Sequence, residues 1–250
     1  MSSKTLGLTL TALLTASLAH AQHVDVLVHT DGSRLLTGAY DFGAGTVLSN
    51  NQRTFTNDLE LDMGDIVGEL GFAADGSGVG DMTVDFPFPA NGSLGFSGLP
   101  ITLGGTAQLL YWDASGPLSL ASFQPAPMGV VLSLIRDAVP NPFQADFAGL
   151  NAPVAGFDIW DSGEDHRDLD LLLSSGAPEG LYVIGLQLTT NAPGIDPALP
   201  IFIVFAYGED AELRHAEAAA FVNDILVPEP ATLALLGLGT LALARRRNRR

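Results

Sequence analysis

The chain has 250 residues, of which 28 are acidic, 11 basic and none cysteine, which excludes a disulfide scaffold, a thiol nucleophile and zinc held by thiolates. An apolar fraction of 47% argues against intrinsic disorder even at a net charge of −17. With 28 glycines and 15 prolines, the sequence favours many turns and short strands over long helices.

Residues 1–21 hold a basic start at Lys4, an apolar run over 6–18 and a closing Ala19-His20-Ala21. Small residues stand at the two positions a signal peptidase reads, so the segment is expected to be a secretory signal peptide cleaved to leave Gln22. Next, Val24, Val26 and Val28 alternate with His23, Asp25, Leu27 and His29, a period of two that predicts a half-buried strand. Residues 83–88, 99–103, 108–112, 129–135 and 169–173 are further strand candidates. Residues 181–190 and 201–207 are β-rich apolar runs bounded by Gly and Pro, as in central sandwich strands. The Gly-, Asn- and Pro-rich stretches 71–80, 140–153 and 191–200 read as loops. Asp210 is placed as the N-cap of a helix over 211–226, with Ala218, Phe221, Val222 and Ile225 as a core-facing stripe. No internal repeat or linker divides 22–226. The expected architecture is all-β: one β-sandwich domain over 22–226 with a short C-terminal α-helix.

Residues 22–226 keep 27 acidic and only five basic residues, Arg34, Arg53, Arg136, Arg167 and Arg214. Such a surface repels phosphate backbones, which excludes nucleic-acid binding and suits an extracellular setting or one containing divalent cations. Catalytic signatures are missing. There is no Gly-x-Ser-x-Gly elbow, and Gly76-Ser77-Gly78-Val79-Gly80 fits neither dinucleotide nor P-loop spacing. A calcium loop starting at Asp75 fails because Phe86 stands where a bidentate Glu is needed. The chain is therefore expected not to be an enzyme.

Histidine is scarce, and two strands concentrate it. His23, Asp25 and His29 share one face of the first strand, while His166, Asp168 and Asp170 share a face opposite Leu169, Leu171 and Leu173. Imidazole and carboxylate together suit Zn²⁺, and alternation brings donors at i and i+2 near one ion. The same pattern is also what the solvent face of any half-buried strand looks like, so spacing alone leaves both readings open. His23, Asp25, His166 and Asp168 form the candidate metal set. His215, on the predicted helix, is either a boundary histidine or a further ligand. Trp112, Trp160, Tyr111 and Tyr182 are the stacking candidates if the domain is instead a carbohydrate-binding module for exopolysaccharide, although several lie within apolar runs. A zinc-dependent hydrolase is a third reading, without an identifiable general base.

Residues 227–250 have their own grammar. Val227-Pro228-Glu229-Pro230 leads into an apolar run over 231–244 and then Arg245-Arg246-Arg247-Asn248-Arg249-Arg250. Pro230 suits the first turn of a helix, and fourteen apolar residues span about 21 Å, short of the ~30 Å hydrocarbon core unless the arginines snorkel. Such an arginine cluster marks the cytoplasmic end of a transmembrane helix. Pro228, Glu229 and Pro230, one apolar helix and a basic terminus together resemble the PEP-CTERM sorting signal. The resemblance implies recognition by an exosortase-type transpeptidase and cleavage near Pro228-Glu229-Pro230. It also implies delivery to the envelope, outer surface or extracellular matrix of a bacterium, with a transient membrane anchor. In addition, His23-Val24-Asp25-Val26, Leu36-Thr37-Gly38, Arg53-Thr54-Phe55, Gly68-Glu69-Leu70-Gly71-Phe72, His166-Arg167-Asp168, Gly180-Leu181-Tyr182-Val183 and Pro200-Ile201-Phe202-Ile203-Val204-Phe205 are similar to a group of PEP-CTERM proteins. In cyanobacteria, that group is controlled by the zinc-uptake regulator. This second likeness implies histidines serving Zn²⁺. Its later strand carries His-x-His, where Asp168 takes the second place here.

Overall fold

The computed structural model describes residues 24–41, 44–74, 88–89, 91–137, 142–160 and 166–227. In chain order they form β1 (Val24–Thr30), β2 (Leu35–Asp41), β3 (Thr46–Ser49), β4 (Thr54–Asp62), β5 (Asp65–Ala74), β6 (Leu94–Leu99), β7 (Ile101–Thr102) and β8 (Thr106–Ala107). There follow β9 (Leu109–Trp112), β10 (Gln124–Pro125), β11 (Val131–Arg136), β12 (Phe143–Ala148), β13 (Val154–Trp160), β14 (His166–Leu173), β15 (Gly180–Thr190), β16 (Ile201–Tyr207) and α1 (Glu209–Leu226). Among the described residues the chain is thus mostly β, with one helix after the last strand, as expected for 22–226 from its sequence.

All strands but β7 and β8 belong to one hydrogen-bonded network with two halves. One half runs β12, β11, β14, β5, β1, β2, β3. The other is built on β15, which pairs with β16 along one edge and with β6 and β9 along the opposite edge. Strand β4 belongs to both: residues from Thr54 to Leu59 lie parallel to β16, and Glu60, Leu61 and Asp62 pair antiparallel with β5. Alternation sorts the side chains. Val26 and Val28 of β1, Leu70 and Phe72 of β5, and Leu169, Leu171 and Leu173 of β14 enter a single core. Tyr182, Ile184 and Leu186 of β15 and Ile203 and Phe205 of β16 enter it from the other half. Burying these side chains is the main favourable term in the fold.

One turn and one close approach between strands restrict the residue type. In the β4–β5 hairpin both central residues, Met63 (φ 49°) and Gly64 (φ 100°), take left-handed conformations, matching the right-handed twist of the strands they join. In β2, a side chain at Gly38 would place its Cβ 2.2 Å from the Ser49 carbonyl oxygen, so the approach of β3 to β2 requires glycine.

The helix covers the far face of the β15–β16 half. Ala211, Ala218 and Val222 pack with Leu181, Val183, Val204 and Ala206. Arg214 stacks 4.4 Å from the centre of the Trp112 ring and donates hydrogen bonds to the carbonyls of Ala114 and Gly116. His215 settles as a boundary histidine: Nε2 donates to the Val204 carbonyl at 2.7 Å and Nδ1 lies 2.7 Å from Asp58 Oδ1.

Several expectations need correction. The helix starts at Glu209 with Gly208 at its N-cap, and no side chain caps it, so Asp210 lies inside the first turn beside Glu209 and Glu212. Ile225 is 43% exposed, so it leaves the core stripe. Residues 71–74 belong to β5 rather than to a loop. Likewise β12 lies inside the stretch 140–153, with Ala145 and Phe147 inward and Gln144 and Asp146 outward. The candidate strand 99–103 is split at Pro100 between β6 and β7. Strand β1 is buried on both faces rather than half-buried. Residues 1–23, 75–87 and 228–250 lie outside the described residues, and with them the signal peptide, His23, most of the candidate strand 83–88, the Pro-Glu-Pro motif and the apolar tail. Among the described residues, no helix is long and apolar enough to cross a membrane.

Candidate metal centre

Because Val26 and Val28 point into the core, Asp25, Leu27 and His29 point to the opposite face of the sheet. The same parity turns Gly71 and Ala73 of β5, and His166, Asp168 and Asp170 of β14, to that face. The registers align them: His166 stands opposite Ala73 and Asp168 opposite Gly71, while on the other edge of β5 Leu27 stands beside Ala73. Strands β1 and β14 are separated by β5, so their backbones run about 9–10 Å apart. Gly71 and Ala73 offer almost no bulk between them, and the imidazole of His166 crosses that gap. Its Nε2 lies 3.2 Å from Asp25 Oδ2 and 3.6 Å from Asp168 Oδ1. One ligand atom from each of Asp25, His166 and Asp168 lies within 4.8 Å of the others.

The three residues form a graded rim. Asp25 is fully buried, the His166 side chain is a quarter exposed, and that of Asp168 is 41% exposed. This overturns the reading of the β1 polar face as a solvated one. Leu27, Tyr40 and Ala73 make a small apolar floor there, with Val47 against it. Tyr40 faces Asp25 across the β1–β2 pairing. Burial pushes its phenol above the ordinary range, and the Asp25 and Asp41 carboxylates push the same way, so Tyr40 stays neutral at the edge of the site. Further along β14, burial raises the Asp170 carboxyl, and repulsion from Asp137 and Asp168 adds to it.

Of the four residues the sequence marks as metal ligands, Asp25, His166 and Asp168 come together, and His23 lies outside the described residues. His29 shares the face but not the site. It sits four residues along β1, about 13 Å away, and its Nε2 donates to the Asn50 carbonyl at 2.9 Å. Gly71, Ala73 and Tyr40 were not marked by sequence reasoning. Nothing in spacing along the chain signals them, because their role depends on which strand lies between or beside the ligands.

The aromatic residues considered for sugar stacking belong to the interior. Trp112, Trp160 and Tyr182 are buried, Tyr182 donates its hydroxyl to the Pro178 carbonyl, and the half-buried Tyr111 donates to the Glu179 carbonyl at 2.9 Å.

Residues 226–250 match the family model of the PEP-CTERM protein-sorting motif. The chain therefore carries a PEP-CTERM sorting domain at its C-terminal end, which implies exosortase-dependent sorting of an exported, envelope-associated protein. No curated protein and no solved structure matches the chain at a significant level.

Proposed function

We propose that this is a non-enzymatic protein of a bacterial envelope or extracellular matrix whose exported domain, residues 22–226, binds a divalent metal ion, zinc foremost, through Asp25, His166 and Asp168. One observation carries the reading. Donors held 2.0–2.2 Å from a tetrahedral zinc ion lie about 3.3–3.6 Å apart. The His166 nitrogen stands at 3.2 and 3.6 Å from its two carboxylate partners, one across β5 on β1 and one on its own strand β14. His23, two residues before Asp25, is the first candidate for a fourth donor, with water as the alternative. The mixed donor set, one imidazole and two carboxylates, suits zinc and also admits manganese.

In this reading a signal peptidase removes residues 1–21, and the apolar run over 231–244 holds the chain in the membrane until an exosortase acts at Pro228-Glu229-Pro230. N-terminal sequencing of exported material tests the first step: Gln22 should be its first residue, and a start upstream of Leu18 defeats it. Titration calorimetry with zinc on the full chain tests the site. One ion per chain is expected, with affinity falling at least tenfold in Asp168→Asn. Binding that survives unchanged in that variant sinks the assignment.

A further inference from the structure

We infer that the ion, once bound, acts as a clamp that fastens an N-terminal wing, β1–β2–β3, to the rest of the domain; the inference rests on the metal-binding reading above. The wing's strands are paired mainly to one another. β1 and β2 pair over seven positions, from Val24 opposite Asp41 to Thr30 opposite Leu35. To the body, β1 is joined by a short parallel register, with Val26, Leu27 and Val28 beside Phe72, Ala73 and Ala74. By contrast β5 and β14 pair over eight positions, from His166 opposite Ala73 to Leu173 opposite Ile66.

Asp25 is the first residue beyond the short β1–β5 register, where that pairing stops. It is also the residue whose carboxylate meets His166 of β14 across β5. An ion shared by Asp25, His166 and Asp168 therefore adds a cross-link at the point where the β1–β5 register ends. It joins the wing to the strand with the long register. Apolar packing of Val26, Val28, Leu35 and Ala39 keeps the wing in place without metal. What the ion changes is the local opening equilibrium of the wing rather than the existence of the fold.

The test is amide hydrogen exchange on the full chain, with zinc and with chelator, alongside zinc calorimetry on the same sample. Zinc should slow exchange in β1 and β2 at least tenfold while changing it less than twofold in β15 and β16, which lie in the other half. Asp168→Asn, at an exposed position that leaves the apolar packing intact, should weaken the zinc-dependent slowing in step with its loss of zinc affinity. Zinc binding with uniform or absent protection overturns the clamp and leaves the metal reading standing. Absence of zinc binding overturns both.

Discussion

The two halves of the sheet network finish their far faces in opposite ways. Beyond β15 and β16 the face is apolar, with Leu181, Val183, Val204 and Ala206 roofed by Ala211, Ala218 and Val222 of α1. Beyond β1, β5 and β14 the corresponding face carries Asp25, His166, Asp168 and Asp170 around a floor of only a few apolar side chains. A helix laid on a sheet demands small and apolar residues at every second position. A sheet face free of that demand can place titratable groups side by side. In this molecule, candidate chemistry sits where the helix is not.

The comparison can be broken most sharply from the helix side. Val222→Asp puts an unpaired carboxylate into the packed layer under α1 and should cost about 3–5 kcal/mol, or abolish folding, in thermal or urea unfolding. A loss under 1 kcal/mol would show that α1 does not hold its face together. Gly38→Ala attacks the other half. Its new methyl meets the Ser49 carbonyl, and the expected loss is about 1–3 kcal/mol, concentrated in the β2–β3 region. Gly71→Val separates the two faces by function. On the proposal that Asp25, His166 and Asp168 hold zinc, a branched side chain between Asp168 and Asp25 should lower zinc affinity at least tenfold, and unaltered zinc binding in a folded variant would remove Gly71 from the site.

A gain is expected at the β4–β5 turn. Met63 is almost fully exposed at φ 49°, and Met63→Gly should stabilise the chain by about 0.5–1 kcal/mol, since a left-handed conformation costs an L side chain that much or more. The smallest effect concerns Asp170. Its carboxyl is held above the ordinary range by burial and by Asp137 and Asp168, so the folded state keeps its proton to higher pH than the unfolded state does. That raised value makes Asp170 a destabilising group at neutral pH, with no penalty below the unfolded carboxylate pKa. Asp170→Asn should therefore stabilise at pH 7 by less than about 0.5 kcal/mol, and the gain should vanish on acidification through the carboxylate range. A gain that persists in acid would locate its cause elsewhere.

The helix-covered half was the more legible of the two. Runs such as 181–190 and 201–207 are apolar on both faces because both are covered, and their bounds fall within a residue of β15 and β16. The helix announced itself by its periodicity, but its start did not, because Gly208 caps it through backbone alone. In the other half the alternating pattern located β1 and β14 and put the correct residues on the correct face. It could not reveal that Asp25 is buried, because burial there depends on strands distant in sequence. Nor could it identify Gly71, whose value is the space it leaves between two strands brought together by register. β12 escaped notice because short alternation, Phe143-Gln144-Ala145-Asp146-Phe147, was outweighed by the prolines and asparagines around it.

The divided loyalty of β4 also sets a schedule. Synthesis and export deliver the chain from its N-terminus, so Thr54 to Leu59 arrive long before their parallel partner β16, the last strand of the domain. Until β16 arrives, the residues from Thr54 to Leu59 lack the strand they pair with in the finished fold, and an unpaired strand edge is the kind of surface on which nascent chains coalesce. The second half of the network is completed only as its final strand emerges, and the helix that roofs it comes later still. The domain should therefore mature abruptly, near the end of its passage, rather than strand by strand.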